Sequence, residues 1–156
     1  MLSSRNSGHR NLFRAAAFIF VLATVGMNLR SWFTDPFASL HIVSWVLLLG
    51  SLGLAVHGFM LLAVVGQPQG RIDKTTVLVT IGAYRYIRHP LYASLLLLAW
   101  GAFLKQPSLP GTVLAAAATA SLIATARAEE VELSQKFGTA YAEYRKSTKM
   151  FIPYVF

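Results

Sequence analysis

The chain has 156 residues, of which 55% are hydrophobic and only 13% charged, with a mean hydropathy of +0.53. A soluble domain carries about 25% charged residues, so these long apolar runs point to a membrane protein. The absence of cysteine excludes disulfides, thiolate metal sites and cysteine nucleophiles, and the net charge of +8 is explained by anionic lipid without nucleic acid.

Residues 1–11 are expected to form a disordered tail. Arg5, Arg10 and Arg14 then precede an apolar segment from Leu12 to Leu29. The stretch that follows, Met27-Asn28-Leu29-Arg30-Ser31-Trp32, is too bulky for signal cleavage, so the segment is expected to stay as a span. A second segment runs from Leu40 to Val65. Both are long enough for a hydrocarbon core, which takes roughly 20 residues. Two shorter segments, Leu91–Leu104 and Thr112–Ala126, flank Lys105-Gln106-Pro107-Ser108-Leu109-Pro110-Gly111 and predict a helical hairpin. The expected fold is all-α and polytopic: one membrane domain with four transmembrane helices and a C-terminal interfacial amphipathic helix. Residues 12–65 form two N-terminal spans and residues 66–156 the core that would carry any chemistry.

The charges fit four crossings with both termini cytoplasmic. Twelve of the fourteen Lys and Arg, among them Arg71, Lys74, Arg85 and Arg88, would then lie inside, and only Arg30 and Lys105 outside. That topology brings two polar clusters to one face. The first is Gly82-Ala83-Tyr84-Arg85-Tyr86-Ile87-Arg88-His89-Pro90-Leu91-Tyr92, set directly against an apolar helix. Pro90 suits the first helical position, and His89 is held out of the helix as its N-cap. The N–H groups of Leu91 and Tyr92, with Arg88 beside them, favour an anion. The second cluster is Arg127-Ala128-Glu129-Glu130. One of its two glutamates is expected to face the His89 region and the other headgroups or water. An inward carboxylate would suit ribose hydroxyls, an ammonium or a sulfonium, with Tyr84, Tyr86 and Tyr92 as aromatic faces for the cation. Beyond it, Leu133, Phe137 and Tyr141 make an apolar stripe, and Gly138 is expected to end or bend that helix.

Arg85 is expected to snorkel to headgroups, and Tyr141, Tyr144, Trp32, Trp45 and Trp100 to serve as anchors or packing. His57, titratable and deep in the second span, carries little functional weight. Gly50, Gly53, Gly58 and the run Ala115–Ala118 point to close helix approach.

Gly82-x-Tyr84-x-x-x-Arg88-His89-Pro90-x-Tyr92, then Glu129-Glu130-x-x-Leu133, then Phe137-Gly138-x-x-Tyr141-x-x-Tyr144 and Ile152-Pro153, resemble the isoprenylcysteine carboxyl methyltransferases and the related phospholipid methyltransferases. The resemblance covers about Gln69 to Pro153. It implies an integral membrane enzyme that uses S-adenosylmethionine to methylate a lipid-like acceptor, either a carboxylate of an isoprenylcysteine-like compound or a lipid amine. It further implies cofactor contacts from Gln69, Thr76, Val77, Leu78, Val79, Tyr84, His89, Pro90, Leu91, Tyr92 and Glu129. Arg127 would position the substrate, and Arg88 and Glu130 would stand at the reacting centre. Two other functions compete: a membrane sterol-type reductase using NADPH, whose motifs are similar, and a non-enzymatic membrane subunit. The bacterial inner membrane and the endoplasmic reticulum both fit as locations.

Overall fold

A computed structural model describes residues 2–70 and 75–156, with side chains from residue 8 onward. The expectations for Arg71 and Lys74, and for the Arg5 side chain, fall outside the described residues. The described residues hold four α-helices: α1 (Leu2–Asn28), α2 (Ser39–Val64), α3 (Pro90–Phe103) and α4 (Leu109–Ser147). No strand occurs among the described residues; two isolated bridges, Pro68 with Thr75 and Ile87 with Lys149, are the only β pairing there. Among the described residues three helices, α1, α2 and α4, are long and apolar enough to cross a membrane, whereas α3 has only 14 residues. At 1.5 Å per residue α3 is about 21 Å long. Helix α1 begins at Leu2, so residues 2–11, expected to be a disordered tail, are helical.

Local sequence sets the boundaries. Ser108, in extended conformation, accepts the Gly111 N–H on its side chain at 3.2 Å and starts α4 just ahead of Pro110. Pro90 opens α3, where its missing N–H leaves no intrahelical bond unmade. Gly138, at φ +52°, bends α4 where the sequence expects a break.

Small residues fill the interior and large ones face out, the arrangement suited to lipid. Ala17, Ala99, Ala102, Ala115, Ala118 and Ala126 are buried, while Ile19, Leu22, Val46, Leu49 and Val113 are exposed. Lipid tails provide no hydrophobic drive between helices, so association rests on close backbone approach and interhelical hydrogen bonds. Ser44 and Ser51 of α2 donate to the Gly101 and Ser94 carbonyls of α3 at 2.6 and 2.7 Å. A Cβ on Gly58 would meet Leu91 and Pro90 at 3.2 and 3.3 Å, so this glycine lets α2 lie against the start of α3. Helices α1, α3 and α4 meet at Val21, Ala99 and Ala118.

Candidate active site

The N-terminus of α3 is fixed from two sides. From α2, His57 Nε2 accepts the Ala83 N–H at 3.3 Å at the base of a 3₁₀ turn, Gly82–Arg85. Gly82 has φ +59°, and a Cβ there would lie 2.6 Å from His57 Nε2, so both its conformation and its space call for glycine. His57 thus has a backbone partner and supports the turn. From the C-terminus, the chain runs beside the segment that precedes α3. Arg88 and His89 donate their N–H groups to the Lys149 and Met150 carbonyls at 2.7 and 3.2 Å, and Lys149 N–H returns to Tyr86 O at 3.2 Å.

The two polar clusters meet there. Arg88 Nε donates to Glu130 Oε1 at 2.6 Å, and its terminal nitrogen donates to Thr148 O at 2.5 Å. His89 Nε2 stands 3.5 Å from the same carboxylate oxygen, too long for a firm hydrogen bond, and Arg145 Nε is 3.7 Å from the other. Glu130 lies beyond the apolar part of α4 and is buried. Burial alone would raise its pKa, but the His89 ring and the Arg88 guanidinium outweigh that and hold the carboxyl at about 2. The anion clamp expected of Arg88 is therefore closed on an internal carboxylate.

Glu129 takes the other direction. Tyr92 Oη donates to its Oε2 at 2.7 Å, and Arg14 of α1 donates to Tyr92 Oη at 2.9 Å while standing 3.9 Å from the same carboxylate oxygen. The expectation that one glutamate would face headgroups or water is corrected here: both have partners inside the protein. Successive helical residues diverge by about 100°. Protein flanks both directions, with α1 and Tyr92 on one side and Arg88 and the C-terminal segment on the other.

Glu129 lines a cavity of about 500 Å³. Arg14 and Phe18 come to it from α1, Leu62 from α2, and Leu91, Tyr92 and Leu95 from α3. Thr75, Leu78, Val79, Tyr84, Arg88 and His89 come from the connection before α3, and Leu133, Tyr141 and Tyr144 from α4. Lys136 donates to the Thr75 carbonyl, and the Thr76 N–H to Gly66 O at 2.9 Å, which ties that connection down. The His89 and Tyr92 rings stack with centroids 5.6 Å apart. Tyr144 Oη donates to the Tyr84 carbonyl at 2.6 Å. Tyr141 is 1% exposed, yet its hydroxyl has no hydrogen-bond partner among the described residues. Burial first, then Glu129, pushes the Tyr84 phenol up; burial first, then Glu130, does the same for Tyr141. Both stay protonated at neutral pH and can donate.

Of the expected cofactor contacts, Leu78, Val79, Tyr84, His89, Leu91, Tyr92 and Glu129 share this lining, as does Arg88. Pro90 is buried beneath it as the start of α3. Gln69, Thr76 and Val77 are exposed and off the lining. Tyr86 faces a separate apolar groove, and Arg127 is exposed beside a shallow depression shared with Glu130 and Arg145. Arg14, Phe18, Tyr141 and Tyr144 are cavity residues that the sequence expectation left out. For the two tyrosines the signals were their place in the Phe137-Gly138-x-x-Tyr141-x-x-Tyr144 block and the Leu133–Phe137–Tyr141 spacing, which fits an interfacial stripe equally well.

The model of the phospholipid methyltransferase family matches residues 39–140. The chain belongs to that family. No curated protein and no solved structure matches it. The family is one of membrane methyltransferases, and its matched segment holds α2, α3 and α4 as far as Ala140. The cavity is thus built mostly from the segment shared with the family. Arg14 and Phe18 in front of it, and Tyr141 and Tyr144 behind it, lie outside the match.

Proposed function

We propose that the cavity binds S-adenosylmethionine and that the protein moves its methyl group to a lipid acceptor entering from the bilayer. The observation that carries this reading is one carboxylate, Glu129, held among aromatic rings in a cavity with an unpartnered buried hydroxyl. A carboxylate and π faces attract a cation, and about 500 Å³ lies within the usual range for small-molecule sites. The hydroxyl of Tyr141 has no acceptor among the described residues and so fits a polar ligand.

The bound cofactor supplies an electrophilic methyl on a positive sulfur, and the protein's tasks are alignment and exclusion of water. Glu129 takes the cationic or ribose side, with its oxygen oriented by the Tyr92 hydroxyl. The Tyr84 and Tyr92 rings flank the charge, and Val79, Leu78 and Leu91 keep water out. Glu130 and Arg88 act as positioning residues: their buried pair fixes the start of α3 against the C-terminal segment. An acceptor carboxylate is already nucleophilic; an acceptor amine must lose a proton, which His89, on the cavity wall, or Glu129 can receive.

Four crossings with cytoplasmic termini complete the proposal, α3 borrowing flanking residues to reach across. The distribution of Lys and Arg supports it. The test is calorimetric binding of S-adenosylhomocysteine and NADP⁺ to detergent-purified protein. Wild type should bind the nucleoside alone, and Glu129→Ala and His89→Ala should bind it more weakly, by roughly tenfold or more. Binding of NADP⁺ alone would replace this reading with a reductase.

A further inference from the structure

Arg127 and Glu129 are two residues apart on α4, so their side chains leave the helix about 200° apart. Glu129 lines the cavity, whereas Arg127 lines a shallow depression of about 580 Å³ on another face of α4. Arg127, Glu130, Val131 and Ser134 follow the i, i+3, i+4, i+7 spacing of that face. Past the bend at Gly138, the second limb of α4 brings Arg145 back to the same hollow, its Nε 3.7 Å from Glu130 Oε2, and Met150 borders it. Two guanidiniums share one hollow. Its carboxylate, Glu130, is already matched, because its Oε1 accepts from Arg88 at 2.6 Å. Arg127 is exposed, and no hydrogen bond or ion pair among the described residues involves it. With Glu130 matched by Arg88, the positive charge of Arg127 and Arg145 is left for a ligand.

Position along the helix names that ligand. Arg127 directly follows the apolar run Thr112–Ala126, in a helix long and apolar enough to cross a membrane. A guanidinium at that point stands at the level of lipid headgroups. We propose that Arg127 and Arg145 bind the phosphate of one anionic phospholipid in this hollow, apart from the cavity. The forked donors of a guanidinium match phosphate oxygens. Because Arg127 precedes the bend at Gly138 and Arg145 follows it, one bound phosphate ties the two limbs of α4 together. Tyr141 and Tyr144, on the second limb, belong to the cavity wall, so the lipid steadies that wall from outside. The site is independent of what the cavity binds.

The experiment uses full-length protein in neutral detergent, with bound lipid counted by native mass spectrometry. Phosphatidylglycerol and phosphatidylcholine are titrated in separate arms, and inorganic phosphate is added as a competitor. Wild type should bind phosphatidylglycerol roughly tenfold or more tightly than phosphatidylcholine, and inorganic phosphate should not displace it. Arg127→Gln and Arg145→Gln should each weaken phosphatidylglycerol binding roughly tenfold, the worth of one charge-assisted hydrogen bond. Lys146→Gln removes the same charge from the residue beside Arg145, outside the hollow, and should change the affinity by less than about threefold. Arg145→Gln also takes a cation from Glu130, so Arg127→Gln, at an exposed residue with no described partner, decides the matter if Arg145→Gln does not fold. Wild-type affinity in Arg127→Gln, equal binding of phosphatidylcholine, or a loss in Lys146→Gln as large as in Arg127→Gln would each overturn the site. Displacement by inorganic phosphate would make it a site for free phosphate and overturn the lipid assignment.

Discussion

Each end of α3 buries a cation, and the two are stabilised by different means. Before its N-terminus, Arg88 is locked to Glu130, with His89 and Arg145 within 4 Å of the same carboxylate. After its C-terminus, Lys105 is 2% exposed and sits 3.7 Å over the Trp45 ring, and no described salt bridge involves it. Around Lys105 the polar links are few: the two ring nitrogens of His41 stand 2.9 Å from the Asp35 and Lys105 carbonyls, and Ser31 donates to Gln106 at 2.7 Å. An aromatic ring under a cation suffices to anchor a helix end. A carboxylate pair, one member facing a cavity and the other neutralising a guanidinium, is more than anchoring needs. The contrast supports the proposal that places chemistry at the Arg88 end and an interface role at the Lys105 end.

The largest test of that contrast is Glu130→Gln. It leaves Arg88 buried without its counter-charge, so stability should fall by about 3–5 kcal/mol, read from thermal unfolding in detergent. The pH dependence has the same origin. Because the folded pKa of Glu130 is lowered from 4.5 to about 2, its contribution is complete above pH 4.5 and drains away as the pH falls towards 2. Wild type should show that loss and Glu130→Gln should not.

Glu129→Ala comes next and acts on the ligand. Calorimetry should show the affinity for a cationic cofactor analogue reduced by about 1.5–3 kcal/mol, roughly tenfold to a hundredfold, with a far smaller change in stability than at Glu130. Lys105→Ala should cost about 2 kcal/mol or less in stability, the worth of a desolvated cation on a ring, and leave cofactor affinity unchanged. The smallest effect is expected for Tyr141→Phe. Affinity should fall by about 0.5–1.5 kcal/mol while stability holds or rises, because the hydroxyl lost has no partner among the described residues.

Backbone signals were the most legible part of the sequence. Pro90 and Gly138 act through steric rules that need no distant partner, and α3 starts and α4 bends where they stand. The apolar runs gave α2 and α3 to within a residue or so, because lipid-facing positions carry no competing pattern. Long-range pairing was harder. Nothing in Arg14 itself distinguishes it from Arg10, which pairs with Glu132 on the same helix-helix contact; only its place one turn further along the same face of α1 puts Arg14 at the cavity. Tyr141 and Tyr144 looked like interface anchors. The bend at Gly138 brings both to the cavity wall, and a bend's direction cannot be read from a glycine. Thr75 lines the cavity while Thr76 and Val77 do not, since an irregular connection has no period to fix its register.

Transfer of a labelled methyl from S-adenosylmethionine into membrane lipid, compared among wild type, Glu129→Gln and Lys105→Ala, tests the assignment of chemistry to one end of α3 most directly. Labelling by wild type and Lys105→Ala, with loss in Glu129→Gln, is the predicted result. Labelling that survives in Glu129→Gln, or that disappears equally in both variants, would contradict it.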